Sequence, residues 1–391
     1  MSLLSVPLHE LRQRSSLKWQ TFGPEVVPMW VAEMDTMMPP AVHQAVAEAL
    51  QRGDTGYPHG TAYAEAFAAM AADRWQLTLD TRSQVIRAGD VMNSVLALLE
   101  TLTDPGDTVV INTPVYAPFR TVVASYGRHL LEVPLSPAGR LDLPALAAAF
   151  DAEVKPRAFL LCSPHNPTGT VHSAAELTEV MAAANEAGVQ VISDEIHARL
   201  VDPGTDFVPL LAVPGGEQAF TATSAGKAWN LAGFKAGLIV AGGAVTDRLT
   251  QVPPLAVQAA GHLADIAHTA ALQGAQEWLD ELNVEIAANK QLLAAELARQ
   301  LPQLSYEPSA GTYLAWLDCT PLGLPDPARH FRRHGKVAFS PGTQFASSHS
   351  QWVRINLACA PELVAEAVSR MAASLPSSAV GSEVSSGESL G

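Results

Sequence analysis

Between residues 39 and 242, short apolar runs alternate with segments of helical period, and few folds accommodate this order. Such runs predict buried strands, and the periodic segments between them predict helices. The predicted strands span residues 84–89, 107–114, 157–164, 189–195, 219–226 and 236–242. The predicted helices span residues 39–52, 63–74, 94–102, 118–126 and 174–187. Strands that alternate with helices form a mostly parallel, doubly wound α/β sheet, which binds ligands at the carboxyl ends of its strands.

The chain after residue 242 follows a different order. A long helical region at 255–301 comes first, and the predicted strands after it lie within 304–318, 336–342 and 352–358, before a helix at 361–374. This order predicts a second, smaller α+β domain. We therefore expect an N-terminal segment that packs with the small domain, a large domain, the small domain and a Ser/Gly/Glu-rich disordered tail. These parts cover residues 1–38, 39–285, 286–375 and 376–391.

Composition and charge exclude several classes of protein. Hydrophobic residues make up 48% of the chain and aromatic residues 6%, which fits helices packed on a buried sheet. The net charge of −15, with no long basic run, argues against nucleic-acid binding. No apolar stretch reaches the roughly 18–20 residues of a membrane span, and the N-terminus lacks a signal-peptide pattern. We expect a cytoplasmic protein with no nucleic-acid or membrane partner.

The cysteines and histidines give no sign of a disulfide framework or of a metal site. Cys162, Cys319 and Cys359 lie in or beside apolar runs, and no two form a Cys-x-x-Cys pair. We expect buried, free thiols, in keeping with a reducing cytoplasm. The twelve histidines include no His-Glu-x-x-His motif and no Cys/His cluster at ligand spacing, so we expect no metal.

Two charged residues follow predicted strands. Asp194 ends the run VQVISDE, where doubly wound sheets bind ligands, although by itself it also fits a helix N-cap or a turn. Lys227 follows AFTATSAG among small residues that leave room for a bulky group, although by itself it also fits a surface lysine. The Gly-Lys pair is not a P-loop, because the earlier glycine is missing and Ala228 replaces Ser or Thr.

Two further polar residues lie beside predicted strands. In SPHNPTG (163–169), two prolines and a glycine fix a rigid turn that presents Asn166, although an ordinary turn has the same composition. Arg354, in WVRINLA, is flanked by strand residues, and a buried arginine needs a partner. Its forked geometry suits the carboxylate of a substrate, and an internal salt bridge is the alternative.

The order of these motifs carries more information than any one of them. Chemistry with pyridoxal 5′-phosphate (PLP) needs a lysine, a carboxylate against the ring nitrogen, donors for the phosphate and a cation for the substrate carboxylate. SPHNPTG, SDEIH, SAGKAWNLAG and VRINLA, in that order, resemble the fold-type I PLP-dependent enzymes, the class I/II aspartate aminotransferase superfamily. The resemblance covers about residues 20–375 and implies a PLP-dependent transferase-like fold with PLP as cofactor.

The resemblance assigns roles around the PLP ring. Lys227 would bind PLP as a Schiff base and move the proton, and Asp194 would pair with the pyridine nitrogen. Asn166 would donate to the ring oxygen O3′. His197 stands where many aminotransferases have a tyrosine that also contacts O3′, and Tyr116 would stack on the ring.

The resemblance also assigns the phosphate site. Backbone amides near Val91 and Met92, where a strand turns into a helix, would bind the phosphate, as helix N-termini suit anions. Ser224 would add a hydroxyl, and Lys235 stands where many relatives have an arginine clamp. Tyr57 resembles the tyrosine that reaches the phosphate of a neighbouring subunit, which implies a homodimer with an active site shared across the interface.

A smaller set of residues resembles one branch of the superfamily. VVPMWVAEMD (26–35) resembles the PMWVADMDF signature of the cystathionine β-lyase, or C–S lyase, branch, with Glu33 and Thr36 in place of the usual Asp and Phe. The DEIH sequence around His197 points the same way. Trp30 would face either the substrate or the core, and Arg354 would hold the carboxylate of an amino-acid substrate.

Three functions remain open on these residues. The first is β-elimination on cystathionine or a related sulfur-containing amino acid, which gives a thiol, pyruvate and ammonia. The second is an aminotransferase with the same lysine, aspartate and arginine, which DEIH and PMWVAEMD favour less. The third is a catalytically silent PLP-fold regulator. Such regulators carry a basic helix-turn-helix module first, and the resemblance here begins near residue 18.

Overall fold

The structure is a computed structural model that describes residues 2–376, so the predicted tail from residue 377 onward lies outside the described residues. The strands are β1 (Val27–Pro28), β2 (Val85–Ala88), β3 (Thr108–Thr113), β4 (His129–Pro134), β5 (Ala158–Cys162), β6 (Gln190–Asp194), β7 (Phe220–Thr223), β8 (Gly237–Ala241), β9 (Leu314–Asp318), β10 (Val337–Ala338), β11 (Ser340–Pro341) and β12 (Trp352–Asn356). The α-helices are α1 (Leu8–Leu11), α2 (Leu17–Gln20), α3 (Pro40–Gln51), α4 (Ala62–Trp75), α5 (Val91–Leu102), α6 (Pro118–Ser125), α7 (Leu143–Phe150), α8 (Ala174–Ala187), α9 (Pro254–Gln258), α10 (His262–Gly274), α11 (Gln276–Gln300), α12 (Pro327–His330) and α13 (Pro361–Ala373).

The largest sheet within the described residues has seven strands, in the order β2-β8-β7-β6-β5-β3-β4. β8 runs antiparallel to its neighbours, and the other pairs are parallel. Helices cover both faces of the sheet. Successive side chains of a strand point to opposite faces, so each strand contributes to a core on either side. On β3, Ile111 shares a core with α5 and α6, and Val110 shares one with α7 and α8. The predicted α/β fold, a mostly parallel doubly wound sheet, is confirmed.

The elements of residues 127–156 are absent from the sequence-based prediction. β4 is an edge strand whose side chains are mostly exposed or half-buried, so it has no apolar run. α7 is short, and Asp142 is its N-cap residue, whose side chain accepts a hydrogen bond from the backbone of Ala145. The long helical region after residue 254 is three helices, α9, α10 and α11, because the backbone leaves the helical conformation at Gly261 and Ala275.

A second core lies on a three-stranded antiparallel sheet in the order β11-β12-β9. α11 and α13 pack on it, and β1 pairs in parallel with β10, so the N-terminal segment lies against this part of the chain. α11 joins the two cores: Leu282 packs beside the large sheet and Leu293 beside the small one. The helix runs unbroken through residue 285, and the domain boundaries stay a prediction.

Three further observations concern membrane spans, metal sites and cysteines among the described residues. Among the helices of residues 2–376, none combines the length and apolar character needed to cross a membrane. In the same range, no group of three or more His, Cys, Asp or Glu side chains is placed to hold a metal ion. Cys162, Cys319 and Cys359 are free and buried, as the sequence analysis expected.

A buried ion pair holds the N-terminal segment. Lys18 Nζ lies 2.8 Å from Asp35 Oδ1, and each side chain is 1% exposed. Trp19 Nε1 donates to the same carboxylate oxygen at 3.2 Å. Burial raises the pKa of Asp35, and the ammonium of Lys18 opposes that rise. The pair is therefore favourable only while both partners are present.

We expect Lys18→Met to lower the free energy of unfolding by about 3–5 kcal/mol, because it leaves the carboxylate of Asp35 buried without a counter-charge. Denaturant titration with a fluorescence readout measures this loss. The control is Arg52→Met, which breaks an exposed pair with Glu48 and should change stability by no more than about 0.5 kcal/mol. Equal losses in the two variants would contradict the prediction.

Candidate active site

A cavity of about 200 Å³ opens at the carboxyl ends of β5, β6 and β7 and at the N-terminus of α5. This is the edge of the sheet at which doubly wound folds bind ligands. Most residues predicted for the site line this cavity, including the catalytic candidate Lys227 and the proposed substrate clamp Arg354. They are Val91, Met92, Tyr116, Asn166, Asp194, His197, Ser224, Lys227, Lys235 and Arg354.

Asp194 is the last residue of β6, with β5 and β7 on either side. Its carboxylate accepts a hydrogen bond from Ile196 N at 3.1 Å, so it closes a turn as well as lining the cavity. The residue is 4% exposed. Burial raises the pKa of this carboxyl to about 7, and the positive charge of Lys227 counteracts part of the rise. A cationic group placed against Asp194 would favour its ionised form.

Lys227 lies in the loop between β7 and β8, and its side chain points inward. Nζ donates to the backbone oxygen of Ala32 at 2.7 Å. Burial, together with the positive charges of Arg354 and Lys235, lowers the pKa of the Lys227 amine to about 8. The alternative of a solvated surface lysine does not hold. An amine with this pKa is partly neutral near pH 7, as a nucleophile or base must be.

Arg354, on β12, is 6% exposed. Its Nη2 donates to Trp30 O at 3.0 Å, and the guanidinium lies 4.7 Å above the ring centre of Phe345. Burial lowers the pKa of Arg354 to about 10. Within residues 2–376 its hydrogen bonds go to neutral groups, and its buried Nε has no partner. Because these partners are neutral, the alternative of an internal salt bridge is ruled out among the described residues. A buried cation without a counter-charge is a site for an anion.

Asn166 connects Arg354 with the cavity. The turn after β5 presents its side chain, and the amide oxygen accepts from Arg354 Nη1 at 3.0 Å. Because a guanidinium only donates, the oxygen faces Arg354 and the NH₂ group remains a donor in the cavity lining. Asn166 is therefore placed to orient the arginine and to donate to a bound group.

The N-terminus of α5 forms another end of the cavity, with Val91 and Met92 in its first turn. Asp90 is the N-cap and accepts from the backbone of Asn93 at 2.8 Å. Lys235 Nζ lies 2.9 Å from the carboxylate of Asp90, so this lysine already has an anionic partner. Sequence reasoning missed Asp90, although an aspartate directly before a predicted helix is a recognisable N-cap signal.

Three further predicted residues line the cavity, and they differ in hydrogen bonding and in the effect of burial on their pKa. The hydroxyl of Ser224 donates to Ala236 O at 2.7 Å and accepts from Gly226 N at 3.0 Å, so it organises the Lys227 loop. His197 is buried, and burial lowers its pKa to about 3, which keeps the imidazole neutral. Tyr116 is half-buried, and burial raises its pKa, so its phenol also stays neutral.

Two predicted residues do not line the cavity. Tyr57 is 96% exposed. The ring of Trp30 packs edge-on against Phe22 at 5.7 Å, and only its carbonyl reaches the site, where it accepts from Arg354 and Ser340. Sequence reasoning missed the backbone oxygens of Trp30 and Ala32, because a carbonyl contact leaves no signature in residue type.

Known proteins resemble this chain over nearly its whole length. The family model described as aminotransferase class I and II matches residues 24–371. The chain belongs to this family. This class I/II aminotransferase family member is 44% identical over 398 residues to the "Putative cystathionine beta-lyase" of Mycobacterium tuberculosis (strain ATCC 25618 / H37Rv), covering 95% of this chain and 98% of the relative.

Two further proteins are similar to this class I/II family member over most of its length. It is 31% identical to cystathionine beta-lyase PatB of Bacillus subtilis, over 92% of this chain and 96% of PatB. Cystalysin from Treponema denticola, whose structure contains a pyridoxal 5′-phosphate cofactor, superposes with a TM-score of 0.87 at 26% identity, covering 93% of this chain and 96% of cystalysin. The resemblance drawn from the motifs is confirmed.

The side chains of this family member fit PLP. Lys227 offers a half-buried amine of lowered pKa, and Asp194 offers a buried carboxylate that lines the same cavity. The first turn of α5, at the helix N-terminus, lines the same cavity, and the positive end of a helix dipole attracts an anion such as a phosphate. β8 comes close to that terminus because Gly237 has no side chain: a Cβ there would lie 2.8 Å from the carbonyl carbon of Asp90. The cavity therefore offers Lys227 for the aldehyde of PLP, Asp194 for its ring nitrogen and the N-terminus of α5 for its phosphate.

Proposed function

We propose that this protein is a PLP-dependent carbon–sulfur β-lyase that cleaves cystathionine or related sulfur-containing amino acids into a thiol, pyruvate and ammonia. One cavity holds both Lys227, a half-buried amine with a pKa of about 8, and Arg354, a buried cation with no counter-charge among residues 2–376, and this supports a PLP-dependent enzyme for amino acids. The observation that carries the choice of β-elimination is the full-length similarity to relatives named as cystathionine beta-lyases. Two relatives with this full-length similarity bear the name cystathionine beta-lyase.

The chain's own residues account for substrate binding and for removal of the α-proton. The electron pair left on the α-carbon then expels the thiolate from the β-carbon, and one water converts the remainder into pyruvate and ammonia. PLP, when bound, supplies an aldehyde for covalent attachment and a ring that withdraws electrons from the substrate. Lys227 would hold the cofactor and, as a neutral amine, would take the proton from the α-carbon. Asp194 keeps a positive charge on the ring nitrogen favourable. Arg354 holds the substrate carboxylate, and this fixes which bond of the α-carbon faces Lys227.

Transamination is the second candidate, and the family's description as aminotransferases favours it. It uses the same lysine, aspartate and arginine, and differs in where the next proton goes. The relatives named as lyases and the DEIH and PMWVAEMD sequences favour elimination. A silent regulator is the least supported function, because Lys227 and Asp194 both line the cavity.

Product stoichiometry tests the proposed reaction. Purified holoenzyme incubated with L-cystathionine should form pyruvate, ammonia and homocysteine in equal amounts, since one C–S bond is cleaved per turnover. Pyruvate is followed with lactate dehydrogenase, and the thiol with a disulfide reagent. If L-cystathionine, L-cystine and L-cysteine all gave no pyruvate, while amino groups passed to an added keto acid, the enzyme would be an aminotransferase.

We also propose that the enzyme is a homodimer whose active sites are shared between subunits. Tyr57, 96% exposed, has the position in sequence of a tyrosine that reaches the neighbouring phosphate. Leu255, 80% exposed, and Met37, 64% exposed, are further large apolar side chains whose burial a second copy would favour.

We expect Tyr57→Phe to weaken PLP binding by about tenfold or more, because it removes one hydrogen bond to a charged phosphate oxygen. The dissociation constant is measured by equilibrium dialysis, with sedimentation to confirm the mass of a dimer. Tyr126→Phe, at another exposed tyrosine, is the matched control and should leave PLP affinity unchanged. Equal affinity in the two variants would contradict a shared site.

The rate at which the cofactor-free protein captures PLP should depend on pH through Lys227. Only the neutral amine attacks the aldehyde, so the rate should rise about tenfold per pH unit below pH 8 and level off above it. Stopped-flow absorbance measures the rate. A rate that is flat between pH 6 and 8, or a rise that levels off only near pH 10, would contradict a lysine of lowered pKa.

We propose that the enzyme is cytoplasmic. The described cysteines, Cys162, Cys319 and Cys359, are free and buried, and burial raises the pKa of each thiol. Free thiols without a disulfide framework fit a reducing compartment.

A further inference from the structure

The loop that carries Tyr57, residues 53–60, has few hydrogen bonds to the rest of its subunit. Backbone bonds from Gly53 N and Asp54 N, at 3.0 and 2.9 Å, tie its first two residues to the end of α3. Among the described residues, the other hydrogen bonds that join the loop to the subunit come from the side chains of His262 and Arg87. Tyr57 lies between these points and is 96% exposed. Its position therefore depends on a small number of contacts.

Both side-chain contacts are supported by the first turn of α10. His262 Nε2 lies 2.8 Å from Asp54 Oδ1, and because a carboxylate only accepts, the imidazole donates. Asp265, three residues further along α10, forms an ion pair with Arg87 of β2. Arg87 Nη2 donates in turn to Gly60 O at 3.3 Å. α10 thus holds the loop directly at one end and through Arg87 at the other.

α10 is a fixed support for this loop. Its buried side chains, among them Ala264 and Ala267, pack in the core beside the large sheet. The loop itself is less constrained, because Gly53 and Gly60 have φ values of 67° and 85°, where glycine meets no steric penalty. A loop of this kind loses conformational entropy when it is ordered by a partner. Contacts that order it beforehand reduce that loss and so favour binding.

We propose that His262, through its hydrogen bond with Asp54, is a positioning residue for the active site of the partner subunit. It holds the loop of its own chain, so that the hydroxyl of Tyr57 is already placed to donate to the phosphate in the neighbouring cavity. His262 does not line the cavity of its own subunit. The inference rests on the proposed shared site, but not on the reaction that the site performs.

A double-variant cycle in PLP affinity tests whether His262 acts through Tyr57. His262→Ala should raise the dissociation constant of PLP about three- to tenfold, because the loop must then be ordered on binding. Tyr57→Phe with His262→Ala should bind PLP no more weakly than Tyr57→Phe alone, since a loop without the hydroxyl gains nothing from being fixed. Sedimentation checks that each variant is dimeric at the concentrations used. Multiplied effects in the double variant, or unchanged affinity in His262→Ala, would overturn the proposal.

Hybrid dimers test whether the effect of His262 crosses the interface. One chain carries Lys227→Ala, so PLP attaches covalently only in the site of the other chain, and its absorbance reports that site alone. His262→Ala is placed either on the chain that keeps Lys227 or on the chain that has lost it. We expect normal affinity in the first arrangement, because the loop facing the intact site is native, and the full loss in the second. Loss in the first arrangement, or equal affinity in both, would overturn the proposal.

Tyr57→Phe in the same two arrangements separates this inference from the shared site on which it rests. If the effect of Tyr57→Phe did not depend on which chain carries it, the shared site would be refuted together with the inference. If it did depend on the chain, while the effect of His262→Ala did not, the positioning role alone would be refuted. Pyruvate release from L-cystathionine decides the lyase independently of both results.

Three further variants separate positioning from loss of stability. Asp54→Ala removes the same hydrogen bond from the loop side and should weaken PLP binding as much as His262→Ala, whereas Asp54→Asn keeps an acceptor and should retain most of the affinity. The control is His330→Ala, which removes another half-buried imidazole with one hydrogen bond, to Ser374 O at 3.0 Å. It should leave PLP affinity unchanged. An equal loss of affinity in His330→Ala and His262→Ala would contradict a positioning role.

Discussion

Replacing Lys227 by alanine should lower kcat by about 10⁴-fold, because the change removes the covalent attachment of the cofactor and the base together. The native side chain lies in the cavity with Nζ 2.7 Å from Ala32 O, and its pKa of about 8 keeps a fraction of the amine neutral. Bulk water, the remaining base, would have to enter a buried site. Steady-state assays of pyruvate release measure the loss.

Chemical rescue separates the two roles of Lys227. A small primary amine such as ethylamine should restore part of the activity of Lys227→Ala, because it fits the space that the side chain leaves and supplies a base. Lys227→Arg should gain nothing from added amine, since the guanidinium fills that space and stays charged. Covalently bound cofactor or wild-type turnover in Lys227→Ala would refute the role assigned to this lysine.

Asp194→Asn should lower kcat by about 10²–10⁴-fold and leave the cofactor attached to the protein. Asparagine has the same shape and still accepts from Ile196 N, so the turn after β6 remains. It carries no negative charge, however, and a positive charge on the cofactor ring then loses its partner in a site that is buried from water.

The residue next in sequence provides the control for Asp194. Glu195 is also buried, and burial raises its pKa to about 7, but its carboxylate accepts from Ser193 and from Leu210 N and does not line the cavity. Glu195→Gln should therefore change kcat far less than Asp194→Asn. The measurement is kcat with L-cystathionine for both variants at matched cofactor content. Equal losses would mean that burial, and not the charge in the cavity, explains the effect of Asp194.

Most strands of the central sheet and the polar residues at their carboxyl ends can be predicted from the sequence, because an apolar run and the residue that follows it form a local pattern. α8 spans the residues predicted for it: Ser173 and Glu176 form a capping box at its start, and Gly188, with a φ of 74°, ends it. Asp194 and Lys227 were recognisable because each directly follows an apolar run.

The rest depends on tertiary contacts or on a second chain. β4 is an edge strand without an apolar run, and α7 is a short helix defined by its cap. The contacts of Lys227 with Ala32 O and of Arg354 with Trp30 O join residues that are 195 and 324 positions apart, and no residue pattern predicts them. The proposed role of Tyr57 needs a partner subunit, which the sequence implies only through resemblance.

The cofactor spectrum during turnover tests the assignment of β-elimination most directly. L-cystathionine is mixed with excess holoenzyme and then in large excess over it, with no keto acid, while cofactor absorbance and pyruvate are recorded together. We predict sustained pyruvate release with the cofactor returning to its starting absorbance after each turnover. A single bleaching to the pyridoxamine form, reversed only when a keto acid is added, would contradict the lyase and establish an aminotransferase.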